Sequence, residues 1–362
     1  MTKNLSRILT ASFALLLLGL IGPGLLIGPG LLEAQDKPLV HTSAQPALHG
    51  LPIWHAIETG KIDSAPFATD FTLFASGGPQ VEALAAGQWD VGAMGAVPTI
   101  LAGIRYGYKF IAISNDESET NDLWARPDSP LLNSKGANPN YPEIYGTKDD
   151  WKGKKILATT VSTGHYALSS TLKALGLGDS DVSIVHMEQA QAVTAFGAGE
   201  GDILQLWAPF SYIAEAKGWI KVSSGAKAGS IILGGVGARK EFAEEHPDLV
   251  VAWLDVYVSE IEALKADPDG SVAPLLKYFT DYCGLELTAD QVKLEFKYRP
   301  LFTAQEQLEL LTNPEKVPAW LDGTARFLLE QGRISQEEYD AYKNNNYFID
   351  ASFLEKLVQG RK

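Results

Sequence analysis

The segment "TTVSTGHYAL", residues 159–168, brings hydroxyl side chains, a glycine and a histidine together in a short stretch. A serine or threonine beside a histidine can form a nucleophile and its general base. Ser162 or Thr163 would be the nucleophile here, and His165 would be the base. A separation of two or three residues along a new helix is poor geometry for that proton transfer, and the sequence contains no Gly-x-Ser-x-Gly elbow. The segment therefore favours a helix cap or a ligand site over a hydrolase.

The same segment follows a strand-like run, "KKILAT", and leads into an apolar helical pattern. A helix start leaves several backbone N–H groups unpaired and carries a positive partial charge, so it can bind an anionic group without any Arg or Lys. Ser162 and Thr163 would add donors, Gly164 would let the ligand approach, and His165 and Tyr166 would shape the wall. The alternative is that Ser162 or Thr163 only caps the helix, since both are preferred cap residues.

Histidine and cysteine indicate little further chemistry. The six histidines are scattered, and none has the His-x-x-x-His spacing of a metal-binding helix. His49 and His55 are interpreted as surface or packing residues. Cys283 is the single cysteine, which excludes an internal disulfide and a multi-thiolate metal site and predicts a buried small residue. The sequence predicts neither a metal site nor a cofactor.

Composition limits the possible partners. The chain has 362 residues, of which 46% are hydrophobic and 20% charged, as expected for a globular protein with room for two domains. Its formal charge of −14 leaves no cationic field for phosphate contacts, so nucleic acid is excluded as a partner. A small anionic ligand remains compatible, because local dipoles matter more than net charge at a pocket.

The N-terminus has the pattern of a secretory signal peptide. Lys3 and Arg7 precede a long apolar run that ends near Ala34. The run contains "LIGPGL" twice, and its length would also allow a membrane anchor, but the Gly-Pro-Gly interruptions weaken a continuous helix. We therefore expect residues 1–34 to be removed. Because the segment lacks the cysteine of a bacterial lipoprotein, the mature chain is expected to be exported and soluble.

Strand-like and helical patterns alternate from residue 38 onward. "DFTLFAS" and "DVGAMG" are typical of strands, and each precedes a helical stretch that begins with a proline and ends with a glycine. The alternation returns after residue 150 with "KKILAT", "VSIVHM" and "DILQLW". Strands that alternate with short helices predict parallel βαβ units.

A weak internal repeat supports two lobes of similar build. "VEALAAGQWDVGAMGAVP" and "VTAFGAGEGDILQLWAP" occupy the same place in the two strand–helix series. The matching positions are Val81 and Val193, Leu84 and Phe196, Gly87 and Gly199, and Asp90 and Asp202. The recurrence of the aspartates favours a structural turn role over catalysis.

The remaining segments predict how the lobes are connected. Residues 125–150 are rich in Pro, Asn, Gly and Ser, which is typical of a loop, and the pattern from Glu241 onward is mainly helical. We therefore predict one lobe from residues 35–126 and 236–362, including the C-terminal helices, and a second from residues 127–235. Two lobes that are joined by two chain segments predict a hinged cleft. Ligand pockets commonly lie in such clefts between domains.

Several motifs in one order resemble a known family. They are "LPIWHAIETGKI", "FASGGPQVEALAAGQWDVGAMGAVP", "WKGKKILATTVSTGHYAL", "DILQLWAPF" and "RKEFAEEHPDLVVAWL". The chain is similar to the substrate-binding proteins of bacterial ABC importers, in the nitrate/sulfonate/taurine group with the type II periplasmic-binding-protein fold. The resemblance covers about residues 39–266. Ala208 stands where many members have an acidic residue, and "TGKIDSAPFA" replaces the common Gly-Phe-Phe.

The resemblance implies a periplasmic monomer without enzymatic activity that binds a small, anionic ligand and delivers it to a membrane permease. The alternative is a thiamine-pyrimidine binding or synthesis protein of the same α/β fold. The family places ligand contacts in the loops after the strand ends, which here contain Ser43, Gln45, Ser76, Gly77, Gly78, Gly95, Ala96, Asn115, Ser162, Thr163, Gly164, His165, Glu188 and Trp207. The glycines would let backbone N–H groups reach the ligand, and Trp207 would form a flat apolar wall.

Overall fold

The computed structural model describes residues 37–345 and 348–361. The predicted signal segment, residues 1–34, lies outside the described residues. The described strands, in chain order, are β1 (Leu39–Ala44), β2 (Ala68–Leu73), β3 (Val91–Met94), β4 (Tyr108–Asp116), β5 (Asn121–Ala125), β6 (Lys155–Ala158), β7 (Ser183–His186), β8 (Ile203–Trp207), β9 (Ile220–Ser224) and β10 (Leu233–Arg239).

The helices between and after these strands are mostly short. In chain order they are α1 (Leu51–Glu58), α2 (Gly77–Ala85), α3 (Ala96–Arg105), α4 (Lys148–Trp151), α5 (Thr163–Ala174), α6 (Gln189–Gly197), α7 (Phe210–Ala216), α8 (Lys240–Glu245), α9 (Pro247–Ala266), α10 (Val272–Lys277), α11 (Ala289–Tyr298), α12 (Ala304–Leu311), α13 (Lys316–Glu330), α14 (Gln336–Asn345) and α15 (Ser352–Gly360).

The strands form two five-stranded sheets, one in each lobe. The first has the order β2-β1-β3-β10-β4, and the second has the order β7-β6-β8-β5-β9. β1 pairs in parallel with β2 and β3, and β6 pairs in parallel with β7 and β8, as the alternating pattern predicted. Each sheet also contains one antiparallel strand that arrives from the other lobe, β10 in the first and β5 in the second. The predicted two-lobed α/β fold is confirmed.

The two antiparallel strands set the lobe boundaries. β5 pairs with β8 in the register Asn121↔Trp207, so the chain enters the second lobe at residues 117–120. The boundary predicted from the sequence, residue 126, lies after β5. In the sequence β5 follows directly on the strands of the first lobe, and only its pairing with β8 places it in the second sheet. The chain returns at residues 225–232, just before β10, close to the predicted boundary at 235.

The repeated aspartates perform the same structural task in both lobes. Asp90 Oδ2 accepts a hydrogen bond from His41 N at 3.0 Å, and Asp202 Oδ2 accepts one from Lys155 N at 2.8 Å. Each aspartate precedes one strand and satisfies a backbone N–H at the start of a nearby strand. This use is the structural role that the repeat predicted, and it lies near the N-terminal ends of the strands, away from the site loops that follow their C-terminal ends.

The C-terminal helices pack mainly on the first lobe. α15 packs on β4 and α9, Trp253 Nε1 of α9 donates to Thr42 Oγ1 of β1, and one apolar core continues from the first sheet into these helices. α13 differs, because it packs on α3 of the first lobe and also reaches α5 of the second. Phe327 of α13 contacts the rings of His165 and Tyr166, at centroid distances of 5.0 and 5.6 Å. Among residues 37–345 and 348–361, no helix combines the length and apolar character that crossing a membrane requires.

Candidate functional site

A small cavity lies where the strand-end loops of the two lobes meet. Its volume is about 20 Å³, little more than the space a water molecule occupies. Across the cleft, Val97 N donates to Thr163 Oγ1 at 3.4 Å, and Ser76 Oγ donates to Glu188 Oε1 at 3.2 Å. The lobes are therefore closed around the cavity, and a ligand inside would have little contact with solvent.

Three helices begin at this cavity. α2 follows Ser76 and begins with Gly77, α3 follows Gly95, and α5 follows Ser162 and begins with Thr163. Two of these helices come from the first lobe and one from the second. Because each N-terminus presents unpaired backbone N–H groups and a positive partial charge, their convergence favours a negatively charged group.

Ser162 and Thr163 have different surroundings. Ser162 Oγ accepts from His165 N at 3.1 Å and donates to Thr159 O at 2.6 Å, so its hydroxyl caps α5. Thr163 Oγ1 instead faces the first lobe, beside Gly95. Both residues line the cavity. The cap alternative therefore applies to the Ser162 side chain, and Thr163 is the hydroxyl directed across the cleft.

This difference gives a testable expectation for two alanine variants. Ser162→Ala removes the cap and should lower the free energy of unfolding by about 1 kcal/mol. Thr163→Ala leaves the cap in place, so its unfolding free energy should change less, whereas its ligand affinity should fall. Urea unfolding and calorimetry of both variants measure the two effects. Equal stability losses for both would contradict the separate roles of the hydroxyls.

Gly164 and His165 face the protein interior rather than the cavity. A Cβ on Gly164 would stand 1.7 Å from Gln205 Nε2, so this glycine allows α5 to pack on β8. His165 Nδ1 accepts from Val161 N at 3.1 Å, and its Nε2 lies 2.9 Å from Asp179 Oδ2. Gly164 was expected to let the ligand approach, but it packs against β8 instead. His165 was expected in the pocket wall, but its ring supports the loop before α5 instead.

His165 supports an unusual backbone conformation. Val161 has a φ of +56°, which a β-branched side chain rarely adopts. Its N–H is held by the His165 ring, and the following residue begins the cap of α5. The histidine thus fixes the loop that brings the start of α5 to the cavity.

The other predicted contacts divide into three groups. Gln45, Gly77, Gly95 and Trp207 line the cavity. Ser76, Gly78 and Glu188 line a larger neighbouring cavity of about 430 Å³ at the cleft mouth. Ser43, Ala96 and Asn115 are outside both walls: Ser43 Oγ accepts from Gln80 Nε2 at 2.9 Å, Ala96 begins α3, and Asn115 Nδ2 donates to Asp116 O at 3.1 Å.

A buried charge cluster was missed by the sequence reasoning. Arg299, just after α11, donates from Nη2 to Glu117 Oε1 at 2.5 Å and from Nη1 to Glu295 Oε2 at 3.3 Å. His49 Nδ1 lies 3.5 Å from the same Glu117 oxygen. Glu117, Arg299 and His49 line the cavity together with Asn121. His49 was expected at the surface or in packing, but it is 2% exposed and forms part of the cavity wall.

Burial and ion pairing decide the charges of this cluster. Although burial opposes its charge, the pKa of Glu117 lies below its ordinary value because Arg299 is adjacent. Burial opposes the charge of Arg299 too, yet Glu295 and Glu117 hold its pKa above the usual range. Burial lowers the pKa of His49 and raises that of Glu295. A charged Glu117–Arg299 pair beside a neutral His49 is therefore the form at neutral pH.

Within residues 37–345 and 348–361, no three His, Cys, Asp or Glu side chains gather as metal ligands would. The cavity wall instead combines helix N-termini with one ion pair. Such a wall suits recognition of a small polar molecule.

Comparison with known proteins identifies similar chains. No protein-family model matches the chain. It is 28% identical over 326 residues to a putative ABC transporter periplasmic binding protein of Brachyspira hyodysenteriae, covering 90% of this chain and 91% of the relative. It is 26% identical over 333 residues to the taurine-binding periplasmic protein of Escherichia coli, covering 84% and 90%.

Solved structures with the same fold include a binding protein and an enzyme. The periplasmic aliphatic sulphonate binding protein SsuA of Escherichia coli has a TM-score of 0.65 at 20% identity, covering 83% of this chain and 94% of its own. The desulfurization enzyme DSZB has a TM-score of 0.60 at 15% identity, covering 90% and 100%. The resemblance found in the sequence is thus confirmed: along most of its length, this chain is similar to proteins named as periplasmic binding proteins, one of them of an ABC transporter.

Proposed function

We propose that this protein is the periplasmic solute-binding component of an ABC importer and that it captures a small sulfonate in the cleft between the lobes, which must widen beyond the present cavity of about 20 Å³ to hold it. The single observation that carries the proposal is the convergence of three helix N-termini, from both lobes, on one enclosed cavity. Relatives named for ABC transport and for taurine support the same function. The monomeric state and delivery to a membrane permease are parts of the proposal.

The electrostatics of the wall favour an anionic head group held by backbone N–H groups. Arg299 is the one cationic side chain among the described residues that line the cavity, and it is already paired with Glu117 and Glu295. The positive ends of α2, α3 and α5 therefore supply the attraction. The larger cavity at the mouth shares Gly77, Pro98 and Ser162 with the inner cavity, so it could receive the organic part of a longer sulfonate.

An enzymatic role is disfavoured by the groups that could attack a substrate. The Ser162 hydroxyl and both ring nitrogens of His165 already contact other protein groups, so these two residues do not form a nucleophile–base pair. Burial raises the pKa of the Cys283 thiol to about 12, so it is a thiol rather than a thiolate at neutral pH, and Cys283 is not part of the cavity wall. We therefore propose binding without chemical conversion, in contrast to the enzyme that shares the fold.

A thermal-shift screen tests the proposed function. Taurine, alkanesulfonates, nitrate, carboxylates and pyrimidines would each be added to the mature protein, with choline as a cationic control. A bound sulfonate at one hundred times its Kd should stabilise the folded protein by about 2.7 kcal/mol and raise the melting temperature by several degrees. Stabilisation by pyrimidines alone would favour the thiamine-pyrimidine alternative. Release of sulfite from a bound sulfonate would indicate an enzyme.

A further inference from the structure

The cavity wall contains buried polar atoms without a partner. Among the described residues, both ring nitrogens of His49, Oδ1 of Asn121 and Nε of Arg299 make no hydrogen bond. All three residues line the cavity. Buried polar groups in folded proteins nearly always have partners, so unpaired atoms concentrated on one wall indicate where a ligand or water binds.

The charges of the cluster do not match a purely anionic ligand. Glu117 and Glu295 provide two carboxylates against the single guanidinium of Arg299. Even with Glu295 protonated, the cluster has no net positive charge, and His49 is neutral. The negative charge of a simple sulfonate would therefore be attracted by the helix N-termini alone and not by this charge cluster. A ligand with its own positive group would balance Glu117.

The geometry puts an acceptor close to the start of α5. Glu117 Oε1 contacts Arg299, whereas Oε2 lies on the side of Gly95. A Cβ on Gly95 would stand 3.5 Å from Glu117 Oε2 and 2.4 Å from Thr163 Oγ1. One point is thus close to both the carboxylate and the N-terminus of α5. A ligand whose two charges are separated by a short carbon chain can reach both.

We propose that Glu117, assisted by Asn121, is a specificity determinant that selects an aminosulfonate zwitterion over a sulfonate without an amino group. The inference rests on the proposed function and names the ligand class of the same cavity. The ammonium group would donate to Glu117 Oε2 and Asn121 Oδ1, while the sulfonate accepts from the helix N-termini. Arg299 holds Glu117 ionised and in place, so it acts as a positioning residue.

Two probes that differ in one group test the inference. Taurine carries an ammonium group where isethionate, 2-hydroxyethanesulfonate, carries a hydroxyl. Because a hydrogen bond to a charged group strengthens binding by about ten- to a hundredfold, calorimetry at neutral pH should find taurine tighter by that factor. Isethionate that binds the parent protein as tightly as taurine would overturn the inference and leave the proposed function standing. Failure of every sulfonate to bind would contradict both.

A variant assigns the preference to Glu117. Glu117→Gln should weaken taurine binding by about ten- to a hundredfold and should weaken isethionate binding by no more than about threefold, since the removed charge attracts the ammonium group and isethionate carries no positive charge. Glu260→Gln is the matched control, because Glu260 is 4% exposed but pairs with His55 and Lys61 away from the cavity wall. A taurine preference retained by Glu117→Gln would overturn the assignment. If that variant does not fold, the comparison of the two probes on the parent protein still decides whether the cavity selects an amino group.

Discussion

Replacement of Arg299 by methionine should lower the free energy of unfolding by about 3–5 kcal/mol. The guanidinium is 2% exposed and contacts two carboxylates that are also buried. Removing one partner of a buried ion pair leaves the other charges without compensation, which costs far more than the net strength of the pair. Urea unfolding followed by tryptophan fluorescence measures the change.

An exposed arginine provides the control for this prediction. Arg326 pairs with Asp322 on α13, and its side chain is 61% exposed, so Arg326→Ala should change the unfolding free energy by less than about 1 kcal/mol. Replacing Glu117, Arg299 and Glu295 together with uncharged residues should destabilise less than Arg299→Met alone. An Arg299 variant as stable as the Arg326 variant would show that the cluster does not contribute to folding.

Substitution of Gly95 by alanine should weaken ligand binding by about fivefold to more than a hundredfold and leave the fold intact. A Cβ at this position would stand 2.4 Å from Thr163 Oγ1, which belongs to the opposite lobe. Overpacking of this kind costs about 1–3 kcal/mol, and here the cost arises only when the lobes close. The free protein can avoid the clash by opening, so the penalty appears in the affinity.

Calorimetry and small-angle scattering test the Gly95 prediction together. The parent protein should become more compact when it binds a sulfonate, whereas Gly95→Ala should require a higher ligand concentration for the same change. Gly178→Ala is a suitable control, because a Cβ on Gly178 meets no atom within 4 Å. If Gly95→Ala binds as tightly as the parent, the contact between Gly95 and Thr163 is not part of the bound state.

The sequence predicted the parts of the site that depend on local order. Gly77 and Gly95 were expected at the site because the family resemblance places ligand contacts in the loops after strand ends, and Thr163 also because it stands at a helix start; all three line the cavity. Trp207 was recognised for the same reason, as the last residue of β8. The lobes themselves followed from the alternation of strands and helices.

Other parts of the site depend on contacts between distant segments. Arg299 follows a helix that no motif connects with the cleft, and it reaches the cavity only because the C-terminal helices pack against the first lobe. Glu117 resembles one more acidic residue in a polar loop until Arg299 is placed beside it. His49 lies in a short helical turn before α1, where neither spacing nor periodicity reveals burial. Composition and pattern do not encode such pairings.

The position of α13 has a consequence for how affinity is determined. Besides the ring contacts of Phe327, Glu330 pairs with Lys173 at 2.5 Å, and Gln331 Nε2 donates to Asp179 Oδ2 at 2.7 Å. These contacts join the lobes outside the cavity, and only protein groups take part in them. They therefore raise the fraction of molecules that are already closed, and the apparent Kd is the intrinsic Kd divided by that fraction. Residues that never touch the solute thus help to set the concentration at which it is captured.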